Sequence, residues 1–455
     1  MHPSKEDNDE RPIQHVEDTV MPDVASAASD TRGIEEDEEP TDLIQDGNWV
    51  IIRMPSGNTK LVQAKADALC KLGKFGQCRF SDLINKNAGV LYEIYDGNKL
   101  RKADDQFMSL DVYDMQSSED ANNREIHDVG APGQKLSRDE IEALKKDSLK
   151  GNVSSQELIK TLVENSASFD KKTEFSKAKY IKKKQAKFTK AFIPTLPTAR
   201  SLCDFFFEED REKIRQIRVD TLSMVLNAAN IHAGMRVIVA DDAHGMLVAA
   251  VMERLGGYGT VFALHESDVP HYDIVSYCNF SAKISKPLHT LSWTKFNNVL
   301  LTEAEEEGVI ASTPYNRSHK RQEALKVQRE RLTLLRNGNF DALVVASAFS
   351  PVEVVKALLP YVAGSRPIVV YHSFKEALTD VWEYMRESDD FVNVDMSESW
   401  LREYQLPCYR AGTRPIMTGS STGGFFVSAT RAFGMLAVDG EKVGGGFGRP
   451  ARRRW

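Results

Sequence analysis

At 455 residues, 41% apolar and 27% charged, the chain has room for two or three domains with substantial cores. No apolar run reaches the roughly 18 residues of a membrane span, and the acidic start lacks the apolar stretch of a secretory signal. The net charge of −7 conceals a division: residues 1–46 hold 15 acids and 3 bases, leaving 51 acids against 56 bases in a mildly basic body that suits a polyanionic partner.

Residues 1–45 are polar, acidic and nearly free of aromatics, so they are expected to be a disordered tail. Residues 46–135 read as a small β domain. Trp49–Met54 is a strand, Pro55-Ser56-Gly57-Asn58 a turn, and Lys60–Ala64 the returning strand. A second hairpin runs from Leu91–Tyr95 through Asp96-Gly97 to Asn98–Leu100, the Asp-Gly pair supplying the positive φ angles of a tight turn. Several short strands in so little chain predict a small β-barrel.

Residues 136–197 turn helical and basic, and are expected to act as a linker ended by Pro194 and Pro197. Ser137…Glu140 and Ser154…Glu157 are capping-box patterns, each ahead of an apolar run. Residues 171–190 then carry nine lysines and one Glu, interleaved with Phe175, Tyr180 and Phe188. On a helix, Lys179, Lys182, Lys183 and Lys187 share one broad face, which suits phosphates, a solvated surface or a nuclear import signal. Tyr180 is placed to stack on a base or to pack.

Residues 198–432 alternate strands with helices, which predicts a doubly wound α/β sheet. Ile214, Ile217, Leu222 and Val225 sit at helical spacing ahead of the first strand. Met235–Ala240 is that strand, followed by Asp241-Asp242-Ala243-His244-Gly245 and an apolar helix. Gly259–Leu264 is a second strand, ending near Glu266. Residues 317–336 are a charged helix with seven Lys/Arg and two Glu. Phe340–Ala346 and Pro367–Tyr371 are further buried strands. Gly424–Ala429 is a late strand, expected in an antiparallel hairpin at the sheet edge. Residues 433–455 are expected to be a flexible tail that ends in a basic patch with Trp455. The five cysteines, Cys70, Cys78, Cys203, Cys278 and Cys408, form no C-x-x-C pair and are expected to be reduced thiols of an intracellular protein. The histidines show no metal-binding spacing.

The strand–loop–helix at 235–250 is the opening unit of a nucleotide-binding domain, methyltransferase-like in its acidic turn. A cofactor needs glycines there so that backbone can approach it. Only Gly245 remains. Asp241 or Asp242 stands where the first acid of an S-adenosylmethionine (SAM) site belongs, and Glu266 where the ribose-binding acid belongs. After the fourth strand, where nitrogen methyltransferases place a polar or acidic residue, the chain reads Val344-Val345-Ala346-Ser347-Ala348-Phe349-Ser350-Pro351. Ser347 or Ser350 offers one hydrogen bond and no base. The fold is therefore expected to be kept, and cofactor binding and catalysis to be lost.

Several stretches are more specific. They include Asn123-Arg124-Glu125-Ile126, Gln134-Lys135-Leu136-Ser137, Lys172-Thr173-Glu174-Phe175, Lys179-Tyr180-Ile181-Lys182-Lys183-Lys184, Met252–Gly259 and Ser399–Gln405. Through these the chain, from about residue 45 to 432, resembles the non-catalytic subunit of the eukaryotic tRNA methyltransferase that makes N1-methyladenine at position 58. The resemblance implies an α/β protein with an N-terminal small β-barrel and a C-terminal Rossmann-like, methyltransferase-like doubly wound sheet. It implies no cofactor in this chain, SAM being bound by a catalytic partner subunit. It implies a heterotetramer of two plus two chains, tRNA as the nucleic-acid partner, and the nucleus as location. The residues expected to touch tRNA are Asn123, Arg124, Lys179, Tyr180, Lys182, Lys183, Lys184, Lys187, Lys213, Arg215 (the last two at a helix start), Arg410 and Arg414. Ala348 stands where family members often carry Arg. Two other readings stay open on the residues: an active SAM-dependent RNA methyltransferase with a divergent loop, and a general RNA-binding scaffold.

Overall fold

The computed structural model describes residues 42–95, 98–103, 134–149, 153–170, 172–267, 269–296, 318–405, 413–419 and 422–433. The acidic tail up to residue 41, the Asp96-Gly97 turn, Cys408, Asn123, Arg124, Arg410 and the basic terminus beyond residue 433 lie outside them.

The N-terminal sheet starts as the sequence suggests. Strands β1 (Trp49–Arg53) and β2 (Thr59–Gln63) pair antiparallel, placing Val50 opposite Val62 and Ile51 opposite Leu61. β3 (Leu69–Lys71) and β4 (Gln77–Arg79) make a separate ribbon with Cys70 facing Cys78, both thiols free and buried. β5 (Tyr92–Tyr95) and β6 (Lys99–Lys102) complete the second hairpin. The five-stranded sheet nevertheless has the order β2-β1-β7-β5-β6, and its middle strand, β7, is Ala191–Thr195. The stretch read as the end of a linker is thus the centre of the N-terminal sheet. Pro194 is tolerated because β7 is staggered: Ala191 and Phe192 pair with β5, and Ile193–Thr195 with β1. The missing proline N–H falls where the β5 ladder has ended. The expected barrel is not found: among the described residues no pairing joins the edge strands β2 and β6.

Among the described residues between β6 and β7 stand three helices, α1 (Arg138–Leu149), α2 (Ser155–Glu164) and α3 (Glu174–Phe188). Both capping boxes form. The Ser154 side chain accepts from Glu157 N while Glu157 accepts from Ser154 N, and Ser137 and Glu140 exchange the same pair of bonds. Leu158, Ile159, Leu162, Ala178 and Ile181 form their shared core.

The large sheet follows helices α4 (Ala199–Glu209) and α5 (Val219–Ala228). Its strands are β8 (Arg236–Asp241), β9 (Thr260–His265), β10 (Leu288–Ser292), β11 (Ala342–Ala346), β12 (Pro367–His372), β13 (Phe391–Trp400) and β16 (Thr422–Arg431), with helix α6 (Met246–Leu255) after β8. A short ribbon of β14 (Tyr404–Gln405) and β15 (Arg414–Pro415) lies between β13 and β16 in the chain. The order is β10-β9-β8-β11-β12-β16-β13, parallel through β12, with β16 antiparallel to both neighbours. This is the methyltransferase-like Rossmann sheet. β16 pairs antiparallel with the bulged β13 at the edge of the sheet, as the sequence suggests, with β13 outermost. β8 is buried on both faces. Val237 and Val239 pack with α4, α5 and α6, while Ile238 and Ala240 pack with the helices Pro351–Leu358 and Glu376–Glu387. Each of the valine and isoleucine side chains contributes roughly 1.5–3 kcal/mol of burial, and burial on both faces is why the strand reads as an unbroken apolar run. Ile214 and Ile217 are also in this core, yet they lie in the turn before α5, not on it. Asn279 joins the two sheets' neighbourhoods: it accepts from Trp49 N at 2.7 Å and donates to Trp49 O at 2.9 Å. Among the described residues no helix is long and apolar enough to cross a membrane.

Candidate nucleic-acid interface and cofactor crevice

Ligands of doubly wound sheets bind beyond the carboxyl ends of the strands, where the strand order reverses. Here that point lies between β8 and β11. Asp241, at the end of β8, is buried and turned back into its own loop. It accepts from Ala243 N at 2.7 Å and Val248 N at 3.0 Å, so it ties down the first turn of α6. Burial pushes its carboxyl up to about 6, and the two N–H bonds oppose the shift only in part. Asp242 reaches across the reversal point. Its carboxylate accepts from Ser347 Oγ and from Ala348 N, both at 2.7 Å, and its own N–H donates to Ala346 O at 3.0 Å. The serine hydroxyl that sequence reading left free is therefore already used.

The crevice is also filled. His244 and Gly245 both have left-handed backbones, φ 52° and 83°. A Cβ on Gly245 would stand 3.0 Å from Tyr272 Cβ, 3.1 Å from Tyr272 Cα and 3.1 Å from Val275 Cγ2. The Tyr272 hydroxyl donates to Leu264 O at the end of β9, at 3.2 Å, so this side chain extends from the loop to the neighbouring strand. Glycine at position 245 thus suits both the left-handed backbone and the close approach of Tyr272. Glu266 is exposed just past β9, as its proposed role requires, but His265 beside it is buried and bonded to Ser267 O at 2.6 Å. Burial holds both His244 and His265 below the ordinary histidine range. Asp241, Asp242 and Ser347 are thus all bonded within the protein itself.

On α3, Lys179, Lys182, Lys183 and Lys187 are exposed, as the spacing predicts. Tyr180 packs: its ring lies 5.8 Å from that of Phe169, and the Lys184 ammonium covers it at 5.0 Å. Arg414, on β15, lies 6.0 Å over the ring of Phe175, so the structure brings it to the start of the lysine helix. Lys213 and Arg215 belong elsewhere, in the turn before α5; that helix begins only at Val219. Lys213 pairs with Asp273 at 3.2 Å and lies over the Phe206 ring. Arg215 is half-buried, 3.4 Å from the His372 ring nitrogen, with its carbonyl held by Tyr371 and Ser373 hydroxyls. Sequence reading missed Tyr272, which carries no local signal. It also missed Arg138 and Lys145, whose seven-residue spacing on one helix face was available.

The Gcd10p family model matches residues 43–333. The chain is 26% identical over 419 residues to the tRNA (adenine(58)-N(1))-methyltransferase non-catalytic subunit TRM6 of Debaryomyces hansenii, covering 87% of this chain and 88% of that protein. It is 30% identical over 369 residues to the Mus musculus protein of the same name, covering 68% and 73%. Among solved structures it is similar to a SAM-dependent O-methyltransferase from Thermotoga maritima, with TM-score 0.48, 10% identity, and 87% and 97% of the two chains covered. With its family model spanning more than half the residues and its relatives matched along most of their length, the chain belongs to the Gcd10p family.

Proposed function

We propose that this chain is the non-catalytic, tRNA-binding subunit of a SAM-dependent methyltransferase that makes N1-methyladenine at position 58 of tRNA. It works with a homologous catalytic subunit that binds SAM, two copies of each forming the assembly, in the nucleus. The observation that carries this reading is the match along 87% of the chain to a protein named as that subunit.

The crevice chemistry supports the division of labour. Asp241, Asp242 and Ser347 spend their polar atoms on the protein itself, and Tyr272 takes the space beside the loop. The exposed lysines of α3 give the complementary capability, a grip on phosphates. A base within folded tRNA must be exposed to reach a catalytic pocket, and a second subunit that holds the RNA body steadies it during that step.

The test is methyl transfer from labelled SAM to unmodified tRNA by this chain alone, by the catalytic homologue alone and by the co-purified pair. Transfer only by the pair is expected. Transfer by this chain alone would overturn the reading. The mass of the co-purified assembly tests the two-plus-two stoichiometry, and the location of a reporter fused to residues 171–190 tests nuclear import.

A further inference from the structure

A groove of about 470 Å³ opens between α1 and α3. Arg138 and Lys145 line it from α1, Lys184, Lys187 and Phe188 from α3, and Gln134 from the chain just ahead of α1; Ile141 and Leu162 give it an apolar floor. Three ammonium groups gather on one ring: Lys145 Nζ lies 5.4 Å from the Phe188 centroid, Lys184 Nζ 5.8 Å and Lys187 Nζ 5.4 Å. An aromatic face attracts a cation, but it does not offset the mutual repulsion of three. Glu142 is the one acid that lines the groove, and it is paired with none of these cations among the described residues.

Gln134 supplies the second, independent observation. Both its amide nitrogen and its amide oxygen are shielded from solvent and lack a hydrogen-bond partner among the described residues. Its backbone is pinned, because Lys135 N donates to Asn165 O at 2.9 Å and Gln134 bridges to Ser166. Buried amides are rarely left unpaired. Gln134, which lines the groove, therefore keeps an unspent donor and acceptor beside excess positive charge and an aromatic wall.

One ligand class answers all three features. A phosphodiester neutralises the lysines, a base packs on the aromatic ring, and the base edge offers an adjacent donor and acceptor to a side-chain amide. We infer that this groove holds a single unpaired nucleotide of the bound RNA, its phosphate on Lys145, Lys184 and Lys187, its base on Phe188, and its base edge read by Gln134. This rests on the reading of the chain as the tRNA-binding subunit, and it separates two modes of contact. The exposed face of Lys179, Lys182 and Lys183 follows backbone charge alone, whereas the groove senses a base.

The experiment uses the co-purified complex with unmodified full-length tRNA. Dissociation constants are measured over a range of salt for Phe188→Leu, Gln134→Met, Lys145→Ala and, as reference, the double change Lys182→Ala with Lys183→Ala. Phe188→Leu and Gln134→Met should each weaken binding by about 5- to 100-fold and leave the log–log salt slope unchanged, because they remove stacking and base contacts but no charge. Lys145→Ala should lower the slope by about 0.7–0.9. Ultraviolet crosslinking should join one nucleotide position to the peptide bearing Phe188, and Gln134→Met, which leaves the ring in place, should reduce that yield. Wild-type affinity in both Phe188→Leu and Gln134→Met, with the reference pair still lowering the slope, would overturn the nucleotide groove and leave the tRNA-binding reading standing. A complex that binds no tRNA would overturn both.

Discussion

Replacing Gly245 by alanine probes how tightly the loop after β8 is closed. The backbone there has φ +83°, and the new Cβ would meet Tyr272 Cβ at 3.0 Å, Tyr272 Cα at 3.1 Å and Val275 Cγ2 at 3.1 Å. The left-handed conformation costs an alanine about 1–2 kcal/mol. Contact with backbone, which cannot swing aside as a side-chain tip can, adds about 1–3 kcal/mol of overpacking. The combined loss of about 2–5 kcal/mol should lower the melting temperature by several degrees, at about 2–4 °C per kcal/mol in a domain of this size. The assay pairs thermal unfolding of the co-purified complex with methyl transfer measured well below the transition. Stability should fall while transfer per assembled complex stays within about twofold of wild type. Adding Val275→Ala removes one of the three contacts and should restore part of the loss, since Tyr272 Cα remains in place. An unchanged melting temperature would refute the close packing of Tyr272 on the loop. A collapse of transfer in an intact assembly would refute the inert crevice.

Three further outcomes follow from the same geometry. Changing Lys182, Lys183 and Lys187 together to alanine should lower the log–log salt slope of tRNA binding by up to about 2–3, and an unchanged slope would sink the phosphate-binding face. Asp242→Ala removes the acceptor of the buried Ser347 hydroxyl, so urea unfolding should show a loss of about 1–3 kcal/mol while methyl transfer per complex is kept. Asp241 titrates at about 6 in the folded chain against an ordinary 3.8, so the folded state holds its proton more tightly. Its contribution to stability is therefore full below about pH 4 and is lost as pH rises toward 6. The unfolding free energy of wild type minus that of Asp241→Asn should accordingly fall across this window by at most about 1.4 kcal/mol per pH unit, and a constant difference would refute the shift.

What was legible in the sequence was the part set by local periodicity. The apolar run Met235–Ala240 ahead of an acidic turn reads as a strand, and Lys179, Lys182, Lys183 and Lys187 share a helix face at spacings of three and four. What escaped depended on partners remote in the chain. Asp241 and Asp242 look like ligand acids in one dimension; their turn inward toward Val248 and Ser347 is decided by packing. Lys213 looks as free as Lys182 until Asp273 and Phe206 are brought beside it. β7 is five residues long, carries Pro194 and follows a lysine helix, so nothing local marks it as a central strand. β13 is polar and twice bulged, which breaks the alternation that would have revealed it. The barrel expectation failed for a related reason: two hairpins are visible in sequence, but closure depends on pairing between edges that local signals cannot report.

The late arrival of β7 has a consequence for how the chain is made. β1 leaves the ribosome long before the strand that covers its inner edge, and α1–α3 must emerge in between. A nascent or proteolysed chain ending before residue 191 presents the open ladders of β1 and β5, the kind of edge that recruits other chains. Once β7 docks, the segment bearing the three helices is fastened at both ends to one sheet, as an insertion and not a tether. Its cations are then held on a fixed base, and any RNA they grip is registered against the body of the protein.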